Sequence, residues 1–227
     1  DPENRRKRKS DNRYRNSRSQ KSGRYRHSTG SMYLLRKSPY AGQPYYQNQR
    51  RKLNAFRSFN YPALANIGIH IHYDYSAIDY TPRTELVSAF CDVDTNIAIL
   101  KIFPGMRPEV IDAVTGIPGL KGIILETYGS GNAPTNKVFL NKVKEVLSKG
   151  IFVYNVTQCQ GGSVEMGKYE TSRELLNAGV ISGHDITTEA AVCKMMYVLG
   201  KYKDTNEIKK YLNNGLKGEI SPKYIGF

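Results

Sequence analysis

From residue 96 onward the chain alternates short apolar runs with amphipathic stretches, and few folds accommodate that rhythm. "NIAILKIF" at 96–103, "LKGIILETYG" at 120–129, "IFVYNVT" at 151–157 and "VI" at 180–181 read as strands. "RPEVIDAVTG" at 107–116, "NKVFLNKVKEVLSKG" at 136–150 and "ETSRELLNAG" at 170–179 read as helices between them. In the second of these, Val138, Leu140, Val143, Val146 and Leu147 share one face and Gly150 ends the run, while Gly179 ends the third. "TTEAAVCKMMYVLGK" at 187–201 is a further helix with Thr187 as its N-cap and Asp185 and Glu189 near its positive end. "TNEIKKYLNNGL" at 205–216 closes the domain. Strands that are apolar throughout must be covered on both faces, so the alternation predicts an α/β fold with a parallel sheet flanked by helices.

Before Leu53 the text has another character: polar, basic and without period. Residues 1–53 hold 16 basic against 3 acidic residues, net +13, whereas residues 54–227 hold 18 against 17, net +1. A chain that is 14 charges basic overall suggests an anion-binding protein, but nearly all of the excess belongs to the first segment. That segment has one apolar run, "MYLL" at 32–35, too little to offset the entropy of ordering, so it is expected to be a disordered basic segment. It lacks the apolar core of a signal peptide and the amphipathic spacing of a transit peptide, and no apolar stretch is long enough to span a membrane. Residues 54–95 read as an entry segment, 96–222 as the α/β domain and 223–227 as a tail. Cys91, Cys159 and Cys193 are odd in number and lack metal-ligand spacing, which points to free thiols in a reducing cytoplasm.

In an open parallel sheet, ligands bind beyond the carboxyl ends of the strands. Three loops there carry small and polar residues: "YGSGNAPT" at 128–135, "TQCQGGSVEMGKYET" at 157–171 and "SGHDITTE" at 182–189. Singly, each reads as readily as a plain turn. His70 and His72 alternate on an expected strand and so share a side, but a third metal ligand is missing nearby and no metal site is assigned.

Taken together and in order, "LETYGSGNAPTN", "GIFVYNVTQCQGGSVEMGKYETS" and "LLNAGVISGHDITTEAAVCKMMYVLG" closely resemble the C-terminal domain of cytoplasmic, type I L-asparaginases, a flavodoxin-like or Rossmann-like domain. "NAFRSFNYPALANIGIHIHYDY" resembles the linker by which that family enters its second domain. The resemblance runs from Asn54 to about Pro222. It implies an oligomeric enzyme, a homodimer or homotetramer, that hydrolyses L-asparagine to aspartate and ammonia with a threonine nucleophile and neither cofactor nor metal. The family's catalytic threonines, aspartate and lysine lie in an N-terminal domain with motifs like "TGGTIG" and "HGTDT", strings this sequence does not contain. No catalytic residue is therefore assigned in this chain, which is expected to be inactive alone.

Three positions take roles from the resemblance. Asn132 matches the asparagine that reaches a neighbouring subunit's active site and orients substrate; read from its surroundings alone, it is equally a turn-capping residue between small neighbours. Cys159 matches the cysteine of an allosteric asparagine site, although a buried inert thiol is the ordinary outcome after a strand. Glu126 stands where relatives with that site often have arginine. An anion in place of a cation reverses the attraction for an effector carboxylate, so activation by asparagine is not expected.

The first segment has its own explanation. Back-translated with permitted codons, Gly42–Gln49 contains "GNRTTKI" one base out of frame. Arg5–Asp11 gives "DGKENL" with the same offset, Asn12–Gln20 gives "TAIEIAAVK", and Met32–Tyr33 admit only Cys. These strings follow the family pattern that precedes "NAF". Residues 1–53 are thus expected to be a frameshifted reading of asparaginase sequence, with one base gained or lost near Leu53. The competing expectation is a non-catalytic α/β domain whose interleaved Arg and Tyr form a nucleic-acid-binding arm; under the frameshift reading no specific nucleic acid is a partner.

Overall fold

The computed structural model describes residues 58–78, 89–134 and 137–224, together with the strand residues 32–35, 38–41, 46–47 and 56–57. Met32–Leu35 (β1) pairs antiparallel with Ser38–Ala41 (β2), placing Tyr33 opposite Tyr40. This hairpin falls on the "MYLL" run of the segment expected to be disordered. Tyr46–Gln47 (β3) pairs with Phe56–Arg57 (β4), and the rest of that segment lies outside the described residues.

Two compact units divide the chain. The first includes β1, β2 and a hairpin of Ala65–Ile67 (β5) with Ile71–Tyr73 (β6), in which Asn66 faces His72. The Asp74 amide donates to Leu64 O at 2.9 Å to close the hairpin base, with Leu64, Ala65, Ala77 and Ile78 buried. Only His72 is in a strand: His70 belongs to the connecting turn, because Gly68 donates to His70 O across it at 3.0 Å. Both imidazoles are exposed, and no metal-holding cluster of His, Cys, Asp or Glu occurs among the described residues.

The second unit contains Ser58–Tyr61 and the α/β domain. Its strands are Ile97–Lys101 (β7), Gly122–Thr127 (β8), Phe152–Thr157 (β9) and Ile181–Ser182 (β10), all parallel and in the order β10-β9-β8-β7. Pro108–Thr115 (α1), Lys137–Ser148 (α2) and Glu170–Ala178 (α3) make the three crossovers, and Thr188–Lys201 (α4) and Thr205–Asn213 (α5) follow. Right-handed crossovers stepping along the sheet in one direction leave their helices on one face. The core divides accordingly. Ile123, Leu125 and Val153 pack with Ile111 of α1, Phe139 and Val143 of α2 and Leu175 of α3, while Ile124, Tyr154 and Val156 pack with Met195 and Val198 of α4 and Leu212 of α5. Burial on both faces is what the apolar strands required.

Local chemistry sets the ends of the helices. Gly179 closes α3 at φ 103°, a left-handed conformation that favours glycine, and its N–H reaches the carbonyls of Leu175 and Leu176. Thr187 caps α4 by accepting from Ala190 N, as its position suggested, and Asp204 caps α5 by accepting from Asn206 N and Glu207 N, each at 2.9 Å. On α2 the buried residues are Phe139, Leu140, Val143 and Val146, and Val138 is 49% exposed. The inward face is otherwise the expected one, with Leu147 packed at its edge; at the start of the helix Phe139 takes the inward place in front of Val138. Among the described residues no helix is long and apolar enough to cross a membrane.

Candidate functional site

The loops at the carboxyl ends of β8, β9 and β10 are hydrogen-bonded into one surface. After β8 the chain folds into a tight turn: Tyr128 and Asn132 exchange backbone hydrogen bonds, each at 2.8 Å, and Gly131 N donates to Tyr128 O at 3.0 Å. Gly129 at φ 47° and Gly131 at φ 103° make the turn possible. From the β9 loop, Glu165 N donates to Ser130 O at 2.9 Å and Val164 N to His184 O at 2.7 Å, joining the loops on either side. Thr157 Oγ1 donates to Gly129 O at 2.5 Å and accepts from Cys159 N at 3.1 Å.

Asn132 is half-buried, and its Oδ1 is buried with no hydrogen-bond partner among the described residues, as is Tyr128 Oη. A turn-capping asparagine would spend that oxygen on a nearby backbone N–H. The backbone alone closes this turn, so the buried carboxamide oxygen does not serve as its cap.

Glu126 belongs to a different environment. Successive side chains of a strand point to opposite faces, so Glu126 lies with Ile124 on the α4 side, whereas Thr127 lies on the side of α1 to α3. Glu126 Oε1 accepts from Thr188 Oγ1 at 2.6 Å, and Oε2 stands 3.5 Å from Lys101 Nζ, whose side chain is 62% exposed. The carboxylate is therefore engaged by the start of α4. Cys159 is exposed, contrary to the buried thiol expected after a strand, because the chain has already left the sheet at Thr157.

Several residues not anticipated from sequence hold this surface. Asn155, fully buried in β9, accepts from Thr127 Oγ1 at 2.7 Å, and its backbone carbonyl accepts from Gly183 N at 2.8 Å. Gln158 Nε2 donates to Ile102 O at 2.7 Å and Glu126 O at 2.9 Å, tying the ends of β7 and β8 together. Asn60 exchanges hydrogen bonds with Gly162 at 2.9 Å in both directions and donates to Asp185 O at 2.9 Å. Asp185 was expected to face the positive end of α4. Its carboxylate instead takes the amide of Ser221 at 2.9 Å and the Ser221 hydroxyl, so it anchors the C-terminal segment. Tyr224 continues that anchorage, donating to or accepting from Ser163 Oγ at 2.7 Å and stacking on His184 at 5.1 Å. The one sequence signal for Asn155 was a carboxamide inside the apolar run "FVYNVT".

His184 adopts φ 54°, uncommon outside glycine. Burial holds its imidazole pKa below the ordinary value, against the opposing effects of Asn213 and the Asp185 carboxylate. A neutral ring stacked on Tyr224 is the consequence. No group among the described residues forms a threonine, lysine and aspartate relay that could attack an amide.

Known proteins share this architecture. Escherichia coli (strain K12) L-asparaginase 1 is 39% identical over 169 residues, which cover 74% of this chain and 49% of that protein. L-asparaginase of Thermococcus kodakarensis is 35% identical over 171 residues, 74% of this chain and 50% of that one. The crystal structure of L-asparaginase I from Vibrio cholerae superposes with a TM-score of 0.77 at 31% identity, covering 84% of this chain and 57% of that chain. The chain thus spans about half the length of the curated relatives it matches. A model of the glutaminase/asparaginase C-terminal domain matches residues 96–212, the whole of the sheet with its crossovers and most of α5. By that match, and by the solved structure that superposes on it, the chain belongs to the glutaminase/asparaginase C-terminal domain family.

Proposed function

We propose that this chain is the C-terminal part of a cytoplasmic, homo-oligomeric enzyme that hydrolyses L-asparagine to L-aspartate and ammonia, and that it supplies Asn132 to the active site of a neighbouring subunit. The observation that carries this reading is the place of Asn132, on a turn that its own backbone closes at the carboxyl edge of the sheet, so that its side chain is not spent as a cap. The nucleophile belongs to an N-terminal domain outside this sequence. Three exposed, unpaired cysteines fit a reducing compartment.

Residues 1–53 enter the proposal as a frameshifted reading of the segment that joins the two domains, and their net charge of +13 as a by-product of the shifted codons. Glu126 and Cys159 mark an effector position that has lost its attraction for a carboxylate: the anion at Glu126 repels one, and Thr188 already engages it.

The test is the gene. Nucleotide sequencing across the Leu53 codon should find a one-base offset and, upstream, an open frame encoding "TGGTIG" and "HGTDT". Enzyme expressed with the frame restored should release ammonia from L-asparagine without added metal. Asn132→Ala in that enzyme should lower kcat and leave the melting temperature unchanged. A restored enzyme that ignores asparagine, or an Asn132→Ala variant with full turnover, would overturn the reading.

A further inference from the structure

Asn155 is a carboxamide at the centre of an apolar strand, fully buried between Tyr154 and Val156, themselves without exposure. An apolar side chain there would have no polar group to satisfy, so the amide needs a reason. Its contacts are directional. Thr127 Oγ1 donates to Oδ1 at 2.7 Å, which fixes the oxygen toward the end of β8 and turns Nδ2 the other way. Nδ2 points at the Tyr128–Asn132 turn: a Cβ on Gly131 would lie 3.5 Å from it, and 2.8 Å from Val164 Cγ1. Nδ2 has no hydrogen-bond partner among the described residues, and neither has Asn132 Oδ1, so an unpartnered buried donor packs against Gly131 and the next residue in the chain carries an unpartnered buried acceptor. The backbone carbonyl of Asn155 also holds Gly183 of the β10 loop at 2.8 Å. One residue therefore touches the end of β8, the turn that carries Asn132 and the loop after β10.

We propose that Asn155 is a positioning residue: its amide, oriented by Thr127, packs beneath Gly131 and so sets the Tyr128–Asn132 turn that carries the Asn132 side chain at the carboxyl edge of the sheet. The consequence for catalysis rests on the role of Asn132 proposed above. The positioning itself does not, and it can be tested in the 227-residue chain.

Asn155→Asp keeps the acceptor for Thr127 and removes the amide donor; Asn155→Leu removes both. In 15N-resolved NMR spectra of the chain, both variants should shift the backbone signals of Gly131 and Asn132 and the Asn132 side-chain amide, and leave Ile208 and Leu212 of α5 in place. A buried carboxyl holds its proton to higher pH than an exposed one, and protonation removes the charge that the wild-type amide does not carry against Gly131. In Asn155→Asp the three signals should therefore return toward their wild-type positions as pH falls. Should either variant fail to fold, Thr127→Val releases the oriented amide and is expected to move the same signals. Unmoved Gly131 and Asn132 signals in the variants that fold, or an aspartate variant without recovery on acidification, would overturn the proposal.

In the frame-restored enzyme, Asn155→Leu should lower kcat/KM on the order of ten- to a hundredfold, as misplacement of a substrate-orienting group does. Its effect should vanish in an Asn132→Ala background, because the two residues act as one unit. Additive losses would contradict positioning through Asn132. An inactive restored enzyme would remove the asparaginase reading alone, since the NMR result decides the positioning by itself.

Discussion

Thr188 Oγ1 donates to Glu126 Oε1 at 2.6 Å, joining the first residue of α4 to the end of the central strand β8. This bond, more than the Lys101 ammonium 3.5 Å from the other oxygen, holds the carboxylate, because the Lys101 side chain is largely in solvent and gains little by the pairing. Thr188→Val should destabilise the domain by about 1.5–3 kcal/mol, the range for a hydrogen bond to a charged group. Lys101→Met should cost less than about 1 kcal/mol. Urea denaturation of the two variants checks the order, and equal losses would show that the ion pair contributes as much as the hydroxyl.

Lys194 of α4 and Glu219 of the C-terminal segment form an ion pair at 3.0 Å with side chains only 3% and 4% exposed. Glu219 also accepts from Leu216 N at 2.9 Å and Lys217 N at 2.6 Å, and Lys194 donates to Asn214 O at 2.7 Å. Lys194→Met strands a buried carboxylate and should cost about 3–5 kcal/mol, while Lys194→Met with Glu219→Leu should recover most of that loss. Burial pushes the Glu219 pKa up, but Lys194 and the backbone amides outweigh it, and the carboxyl ends below its ordinary value of 4.5. As pH falls below 4.5 the unfolded chain takes up a proton that the folded chain refuses, so stability declines until the folded carboxyl is protonated too. The double variant should lose this part of the acid sensitivity, as read from melting temperatures across the window.

A second pH effect belongs to His184, whose imidazole is held by burial below its ordinary value of 6.5. Below pH 6.5 the unfolded chain binds the proton first, so stability falls from that point downward, well before Glu219 responds. His184→Asn tolerates the positive φ and should flatten the melting temperature between 6.5 and the onset of carboxylate protonation. An unchanged slope there would assign the effect to another group.

Gly183→Ala tests the packing beneath the β10 loop. An added Cβ would meet Asn155 O at 2.7 Å, Val156 Cγ1 at 2.9 Å and Ile186 Cγ2 at 3.0 Å, and two of these atoms belong to the central strand β9. The loop must shift, at about 1–3 kcal/mol by the usual cost of overpacking. A calorimetric scan showing no loss would mean that the loop moves freely on the sheet.

The layered α/β architecture was legible because its signals are local: apolar strands, Gly179 at a left-handed cap, Thr187 and its bond to Ala190. On α2 the inward face follows from the spacing at Leu140, Val143 and Val146, but not at the start of the helix, since Val138 and Phe139 are both apolar and only packing against the sheet decides between them. His70 reads as strand by alternation, yet the hairpin places it in the turn. The residues that hold the site together, Asn60, Asn155, Gln158 and Ser221, act across 28 to 125 positions of sequence. No short-range pattern encodes a partner that far away. Asn132 and Glu126 were found through the resemblance, but the separation of their environments follows from strand parity, which places Glu126 with α4 and Thr127 with Asn155.

The most direct measurement is ammonia release from L-asparagine by the purified 227-residue chain. Amide hydrolysis needs a nucleophile, a base to take its proton and donors that hold the oxyanion within about 3 Å of the reacting atoms. We expect no ammonia above the uncatalysed background, and release only when the frame at Leu53 is restored together with the upstream N-terminal domain. Ammonia release by this chain alone, abolished by replacing one of its own threonines, would contradict the claim that the C-terminal domain contributes Asn132 to a chemistry performed elsewhere.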